Sequence, residues 1–411
     1  MNNINLIRLR SKLHDYDKEL IQYGDNIIFD INQILFDDDL ALIENADNSL
    51  FDVVFIESGG SEGEFIKVFD KLHDPLVLFP TMRNNSLPAL FEIKTYLANK
   101  NFHPFLLIDQ ISQAAAVLVD IAKIMSTIRN IQGVNLGVIG QPSDWLIASN
   151  LNELKIKNRF GINIIDIPIE ILKEEIEKYQ YCDVPHLDEL RKKTRNYKEL
   201  NKALYVYSAL KRICERYNLK GLTIRCFDIL KDYNCSACLA LSLLNEEGII
   251  SSCEGDIPSL LTMYLLSVMT GLPSFMANPS EIDFNKNTVL FAHCTLPYNM
   301  ANKYQLTTHF ESEIGIALKG EMSLGKATIC KIAPNLKKED ILCVSGEIIE
   351  NCSYPNYCRT QIKVSFEEEC LFPLIKNNYG NHVIITFAEI ENLFPLLLQI
   401  LENNDSTVKK D

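Results

Sequence analysis

Four residues in the second half of the chain have the types and the placement of ligands for a divalent metal ion. Glu254 follows the apolar run "GIISSC", and Asn278 follows the apolar segment "LPSFMA". His293 ends the run "TVLFAH", and His382 stands directly before the run "VIITF". One carboxylate, one amide oxygen and two imidazoles form a mixed nitrogen and oxygen site that suits a transition ion such as manganese.

The elements around these residues indicate why they should meet. The patterns predict strands over "GIISSCEGD" and "LPSFMANPS", with the apolar helix 258–270 as the crossover between them. Open α/β sheets bind their ligands at the carboxyl ends of the strands. We therefore expect Glu254 and Asn278 at the same ends of two neighbouring parallel strands, with His293 at the end of the next strand.

Each of these residues also has an ordinary structural interpretation. Glu254 could cap the helix that follows, although Asp256, just before Pro258, is the better N-cap residue. A histidine taken singly is more often a structural residue than a ligand. The metal site is favoured because four suitable side chains fall at strand ends together.

The pattern along the chain predicts two kinds of domain. Short apolar runs alternate with helical patterns over 1–130 and again over 131–280, which indicates two doubly wound α/β domains. Beyond residue 280, short apolar runs follow each other with few helical patterns between them, and this indicates a β-rich domain over 281–411. The central domain would carry the first metal ligands.

Composition restricts the class of function. The chain has 411 residues and a formal net charge of −14, which disfavours binding to nucleic acid because that binding depends on lysine and arginine. The longest apolar runs fall well short of the ~20 residues of a membrane-spanning helix, and the first twenty residues lack the pattern of a secretory signal. These features predict a cytoplasmic enzyme with no membrane or nucleic-acid partner.

The cysteines are predicted to be thiols. All twelve lie after residue 181, and a long chain without an export signal is expected to keep them reduced. Cys235 and Cys238 are the only close pair, and no second pair has the spacing of a zinc site. We therefore expect buried thiols in a helix here and no zinc.

Several short motifs, in their order along the chain, resemble the L-fucose isomerase and L-arabinose isomerase family, particularly its shorter members. They are "CEGD", "TGLP", "FAHC", "CRT" and "GNH". The resemblance covers most of the chain and is strongest over 221–312 and 345–388.

The resemblance implies an α/β fold with a β-rich C-terminal domain and a metal-dependent aldose–ketose isomerase that acts on a sugar through an enediol. It also implies Mn²⁺ or another divalent cation, and a homo-oligomer, trimeric or hexameric. Glu254 matches the residue that binds manganese and serves as acid and base, while His382 and His293 match the family's histidines. Asn278 falls where the family has a second acidic ligand, which is a departure. With Asn278 at that position the second base is missing unless Asp256 or Glu311 takes its role, and we predict Asp256 as the second catalytic group. The resemblance also gives these candidate sugar contacts: Arg225, Asp228, His309, Glu311 and Arg359.

Three alternatives remain at this point. A sugar-binding or regulatory paralogue would have lost turnover when the second carboxylate became Asn278. An isomerase for an anionic sugar, such as a sulfosugar, is suggested by the loop "GGSEG", which could hold an anion at a helix N-terminus; the same residues also form an ordinary strand–helix turn. A dinucleotide-dependent oxidoreductase lacks its G-x-G-x-x-G signature.

Overall fold

The computed structural model describes residues 3–11, 33–35, 49–72, 75–100, 102–108, 111–149, 151–336 and 341–405. The chain divides into two compact units. The first consists of Met1–Asn130 with Gln399–Asp411, and the second of Ile131–Leu398. The division between a central and a C-terminal domain at residue 280 stays a prediction.

The first unit is built on a parallel sheet with the strand order β2-β1-β3-β4-β5, the order of a doubly wound fold. Apolar strands such as β3 and β4 are buried, as expected for a parallel sheet covered by helices. Its strands are β1 (Asn3–Leu9), β2 (Gln33–Leu35), β3 (Ser49–Ile56), β4 (Leu76–Pro80) and β5 (Phe105–Leu106). Its helices are α1 (Glu62–Phe69), α2 (Ser86–Asn99) and α3 (Ile111–Ile131).

The second unit contains another parallel sheet, with the strand order β7-β6-β8-β9. Its strands are β6 (Asn135–Ile139), β7 (Asn163–Ile167), β8 (Leu219–Ile224) and β9 (Ile250–Cys253). The helices that precede and follow these strands are α4 (Glu153–Phe160), α5 (Ile169–Ile176), α6 (Leu187–Lys193), α7 (Tyr197–Tyr217), α8 (Cys226–Tyr233), α9 (Cys238–Glu246) and α10 (Ile257–Thr270).

The rest of the second unit is an antiparallel closed barrel with the strand order β10-β11-β16-β15-β14-β17. Its strands are β10 (Ser274–Asp283), β11 (Thr288–His293), β14 (Gly325–Lys331), β15 (Leu342–Cys352), β16 (Thr360–Ser365) and β17 (Val383–Thr386). A hairpin of β12 (Lys303–Thr307) and β13 (Ala317–Glu321) stands beside it, with a 3₁₀ turn at Tyr298–Met300. The last helices are α11 (Glu368–Lys376) and α12 (Leu393–Asp405). Helix α12 crosses the division, since its residues from Gln399 on belong to the first unit.

The predicted α/β class with parallel sheets and a β-rich C-terminal region is confirmed, while the specific fucose-isomerase fold stays a prediction. Among the described helices, none combines the length and the apolar character needed to cross a membrane.

One prediction about the sheets is wrong: β10 is not a parallel neighbour of β9. It pairs antiparallel with β11 and with β17, so Asn278 belongs to the barrel and Glu254 to the end of the parallel sheet. Helix α10 ends at Gly271 in a left-handed cap, and the apolar run that follows pairs with β17, more than 100 residues later. Local pattern cannot reveal such a distant partner.

Candidate active site

Glu254 lies in a tight turn between β9 and α10. Its φ is 65°, a left-handed conformation that costs a non-glycine residue roughly 1–2 kcal/mol. Gly255 follows with φ 73°, and a Cβ there would lie 2.7 Å from the backbone of Pro142. The turn therefore requires glycine at 255, and it holds Glu254 in a strained conformation of the kind that often marks a functional site.

Glu254 lies against two histidines that come from the barrel. Its Oε1 is 3.8 Å from Nε2 of His293 and 3.6 Å from Nε2 of His382. One ligand atom from each residue lies within 4.8 Å of the other two. His293 is 4% exposed and His382 is fully buried. A divalent ion could therefore take one oxygen and two nitrogen ligands at this point with small side-chain adjustments.

The other ring nitrogen of each histidine is held by a hydrogen bond. Nδ1 of His293 is 2.8 Å from Oγ1 of Thr295, and Nδ1 of His382 is 2.7 Å from Oδ2 of Asp256. Such contacts fix the ring and the tautomer of a metal-binding histidine, with Nε2 directed at the ion. The arrangement would orient both histidines for a metal ion.

Asp256 is the N-cap of α10, as predicted. Its Oδ1 accepts a hydrogen bond from the amide of Ser259 at 2.8 Å, and its Oδ2 is 3.1 Å from Nζ of Lys331. Burial favours the neutral form of Asp256, but the charges of Lys331 and His382 outweigh it and hold the pKa of the carboxyl below its usual range. Asp256 therefore stays ionised, and its two oxygens contact the Ser259 amide, Lys331 and His382.

Two buried polar atoms in this part of the barrel lack a hydrogen-bond partner among the described residues: Oδ1 of Asn278 and Nε2 of His382. Asn278 pairs with Ala292, one residue before His293, and Ala277 pairs with Val383, one residue after His382. Asn278 therefore lies in the sheet between the two histidine positions. A buried acceptor without a donor costs about 1–3 kcal/mol, and a cation would remove that cost.

The cluster keeps Glu254 ionised. Burial alone would raise the pKa of Glu254, but the adjacent imidazoles of His293 and His382 outweigh burial and hold that pKa below its usual range. Burial lowers the pKa of His382, but the hydrogen bond to Asp256 and the negative charges of Asp256 and Glu254 outweigh this and raise it. The site therefore favours a negative carboxylate facing the two imidazoles, and a bound cation would take the place of the proton on Nε2 of His382.

Arg225 and Asp228 flank this cluster at the start of α8. The Arg225 guanidinium is 3.3 Å from Asp228, 3.0 Å from Asp144 and 3.0 Å from the carbonyl of Pro142. Both residues border a cavity of about 430 Å³ at the ends of β6 and β7. They stabilise the loop that contacts Glu254, and their predicted role as sugar contacts stays a prediction.

His309, Glu311 and Arg359 lie in segments that follow β12 and precede β16. Arg359 donates hydrogen bonds to the carbonyl of Thr308 at 2.7 Å and to that of His309 at 3.4 Å. Next to it, Thr360 pairs with His293 across β16 and β11. Glu311 is exposed, and His309 is buried.

Sequence reasoning did not assign roles to two residues that contact this cluster. Trp145 donates a hydrogen bond from Nε1 to Oε2 of Glu254 at 2.6 Å. Lys331, which is 1% exposed, pairs with Asp256. Trp145 is the single tryptophan of the chain and lies in the turn "QPSDW" after a predicted strand, so the sequence offered a signal for a role at the site. Lys331 ends an apolar barrel strand, and no local pattern marks it as a site residue.

The loop "GGSEG" belongs to the first unit and forms a strand–helix turn. The Gly59 amide donates to the carbonyl of Asn84 at 2.8 Å, and the Ser61 hydroxyl donates to the carbonyl of Ser58 at 2.8 Å. The second of these bonds lies within the turn, and the first joins the turn to the segment after β4. Both suit an ordinary strand–helix turn, and anion binding by this loop stays a prediction.

No family model matches the chain. The chain is similar to curated proteins called sulfoquinovose isomerase. That of Priestia aryabhattai is 23% identical over 364 residues, which cover 82% of this chain and 81% of the relative. That of Alkalicoccus urumqiensis is 21% identical over 313 residues, covering 71% and 70%. That of Clostridium sp. (strain MSTE9) is 24% identical over 209 residues, covering 48% and 46%.

Proposed function

We propose that this sugar aldose–ketose isomerase acts on sulfoquinovose, or on a closely related sulfonated sugar, with the help of a divalent metal ion. The similarity to sulfoquinovose isomerases over most of both chains carries the isomerase activity and suggests the substrate. The metal ion is supported by the cluster of Glu254, His293 and His382 and by the buried, unpartnered Oδ1 of Asn278.

The reaction requires a group that moves a proton. Converting an aldose into a ketose removes the proton from C2 and delivers one to C1, through an enediol. Glu254 is ionised and is held by Trp145 on one oxygen, so it can accept the proton and return it. A divalent ion bound here would act as a Lewis acid that polarises the sugar oxygens at C1 and C2.

The donor set fits such an ion. Glu254, His293 and His382 offer one oxygen and two nitrogens, and Asn278 adds a neutral carbonyl oxygen. Manganese accepts mixed oxygen and nitrogen ligands of this kind. Because Asn278 is uncharged, we expect the ion to bind less tightly than it would to two carboxylates.

Asp256 is proposed as a positioning residue rather than as a second base. Its oxygens are already engaged by the Ser259 amide, Lys331 and His382. Moving a proton onto Asp256 would leave Lys331 as a buried cation without a counter-ion. Asp256 instead orients the imidazole of His382 toward Glu254.

Arg359 is the proposed contact for the sulfonate. It directly precedes Thr360, which pairs with His293 in the sheet. Its hydrogen bonds go to oxygens of Thr308 and His309, and it makes no ion pair within the described part of the chain. The charge of Arg225, in contrast, is balanced by Asp144 and Asp228. An uncompensated guanidinium suits an anionic sugar.

A substrate comparison tests this function. The manganese-loaded protein is incubated with sulfoquinovose, with glucose as the neutral counterpart, and with L-fucose and L-arabinose, and ketose formation is followed by NMR. A hydrogen-bonded charge is worth about 1.5–3 kcal/mol, so we expect kcat/KM for sulfoquinovose to exceed that for glucose by roughly 10- to 100-fold.

The Arg359→Gln variant should remove this preference by lowering kcat/KM for sulfoquinovose alone. The matched control is Arg195→Gln at an exposed position, which should leave both values unchanged. Equal rates on sulfoquinovose and glucose in the wild type would contradict the sulfosugar assignment. Turnover of L-fucose or L-arabinose alone would show that the substrate is the one expected from the family that the motifs resemble.

A further inference from the structure

A second group of metal-ligand residues lies in the same unit and shares no residue with the Glu254 cluster. Cys238, Cys294 and His309 each offer one ligand atom, and these atoms lie within 4.8 Å of one another. Cys238 begins α9, Cys294 follows β11, and His309 lies beyond β12. All three are buried, at 3%, 3% and 7% exposure.

A third thiol adjoins this group. The partly buried Cys358 packs against the buried cluster that contains Cys238 and Cys294. Ala317 and Phe310 pack around them and make the surroundings apolar. Three cysteines and one histidine in a dry pocket are the donor set of a four-coordinate structural zinc site.

The histidine has a suitable orientation. Nδ1 of His309 is 2.9 Å from Oγ of Ser312. Nδ1 also accepts a hydrogen bond from the Ser312 amide at 3.4 Å. A metal ion on Nε2 would require the tautomer that carries its proton on Nδ1, and the Ser312 hydroxyl could accept that proton. Arg359 donates to the carbonyl of His309, and the Phe227 ring packs edge-on against its imidazole, so the residue is held from two sides.

We propose that Cys238, Cys294 and His309 bind a thiophilic divalent ion of the Zn²⁺ class, with Cys358 turning its side chain to complete a tetrahedron. Sulfur ligands select a different ion from the carboxylate and imidazoles of the Glu254 cluster, so the two sites can be loaded separately. The ion would link the start of α9 to the strand end that carries His293. Its role would be structural, and it is independent of the proposed function.

Cobalt is the probe that separates the two sites, because only thiolate ligands give a near-ultraviolet charge-transfer band with Co²⁺. Protein stripped with a chelator under reducing conditions is titrated with Co²⁺. We expect one equivalent to produce the band, and Zn²⁺ to remove it. The band should persist in His293→Ala, which lacks a ligand of the other cluster.

The Cys238→Ser and Cys294→Ser variants should lose the band. Cys358→Ser, at a half-buried position, should weaken Co²⁺ binding at least tenfold. The matched control is Cys214→Ser, at a buried thiol in α7 that is not one of the proposed ligands. A band that survives in Cys238→Ser, or that disappears in Cys214→Ser, would overturn the assignment.

A measurement on the wild type does not depend on how the variants fold. Zn²⁺ should slow the alkylation of Cys238, Cys294 and Cys358 at least tenfold, as followed residue by residue with mass spectrometry. The half-buried thiols of Cys182 and Cys370 should react at unchanged rates. No thiolate band in the wild type, or equal alkylation with and without Zn²⁺, would show that these residues are ordinary core thiols.

Discussion

The indole of Trp145 holds the carboxylate of Glu254: Nε1 donates to Oε2 at 2.6 Å. In the same loop, the Ser143 amide donates to the carbonyl of Glu254 at 2.9 Å. The loop after β6 therefore fixes both the main chain and the side chain of Glu254. The other carboxylate oxygen, Oε1, is left to face His293 and His382.

Replacing Trp145 with Phe should lower kcat by roughly 10- to 100-fold, because a hydrogen bond to a charged group is worth about 1.5–3 kcal/mol. The phenyl ring can keep the edge contact with Phe227, whose centroid is 4.7 Å from that of the indole. Trp145 is 51% exposed, so thermal unfolding should change little. Steady-state kinetics give the answer, and an unchanged kcat would show that the indole does not orient the carboxylate.

Asp256→Asn should weaken metal binding by about 10- to 100-fold, because the neutral amide orients His382 less firmly. Isothermal titration with Mn²⁺ measures the affinity. Since the single change leaves Lys331 as a buried charge, the control is Asp256→Asn combined with Lys331→Met, which restores charge balance. If the double variant binds Mn²⁺ like the wild type, Asp256 has no part in positioning His382.

Asn278→Asp should tighten Mn²⁺ binding, because a carboxylate of nearly the same shape adds one negative charge beside the ion. Calorimetric titration measures the affinity and sugar turnover measures kcat. A rise in kcat means that the wild type lacks a second base, whereas tighter binding with slower turnover means that the site is built around the amide. Asn285→Asp at an exposed position is the control. Unchanged affinity for Asn278→Asp would remove this residue from the ligand set.

Glu175→Gln should destabilise the second unit in a manner that depends on pH. Glu175 is buried and bonds to Arg212 at 2.8 Å and to Lys178 at 2.7 Å, and it also pairs with Arg216. Burial would raise its pKa, but these cations lower it to about 2. Folding therefore favours the ionised form of Glu175. Its contribution to the free energy of unfolding is fully present above the ordinary pKa of 4.5 and is lost as pH falls toward 2.

At pH 7 the free energy of unfolding of Glu175→Gln should be lower than that of the wild type by about 2–3 kcal/mol. Urea unfolding of wild type and variant at several pH values measures this difference, which should shrink between pH 4.5 and 2. A difference that is constant over that interval would show that the effect is one of packing and does not depend on the charge of Glu175.

The local signals in the sequence located Glu254, His293, His382 and Asp256, and the structure brings them together. Strand ends, glycine turns and the proline after an N-cap are features of a few neighbouring residues, so they can be read directly. The placement of Asn278 between the histidines depends on the pairing of β10 with β17, which local pattern does not encode.

The contacts that were missed join residues far apart in the chain. Trp145 is 109 residues from Glu254, and Lys331 is 75 residues from Asp256. The prediction of buried thiols without zinc at Cys235 and Cys238 rested on the absence of a second close pair of cysteines, and it stays a prediction. In the structure the neighbours of Cys238 are Cys294 and His309, which come from separate segments and have no common motif.

The most direct test of the account follows sulfoquinovose by NMR in D₂O with stripped protein, with protein reloaded with Mn²⁺, and with Glu254→Gln. We expect the reloaded wild type to form the ketose with deuterium on carbon. Stripped protein should be inactive, and Glu254→Gln should be slower by about 10²- to 10⁴-fold, while the exposed control Glu92→Gln stays active. Full turnover by stripped wild type, or near-native turnover by Glu254→Gln, would contradict it.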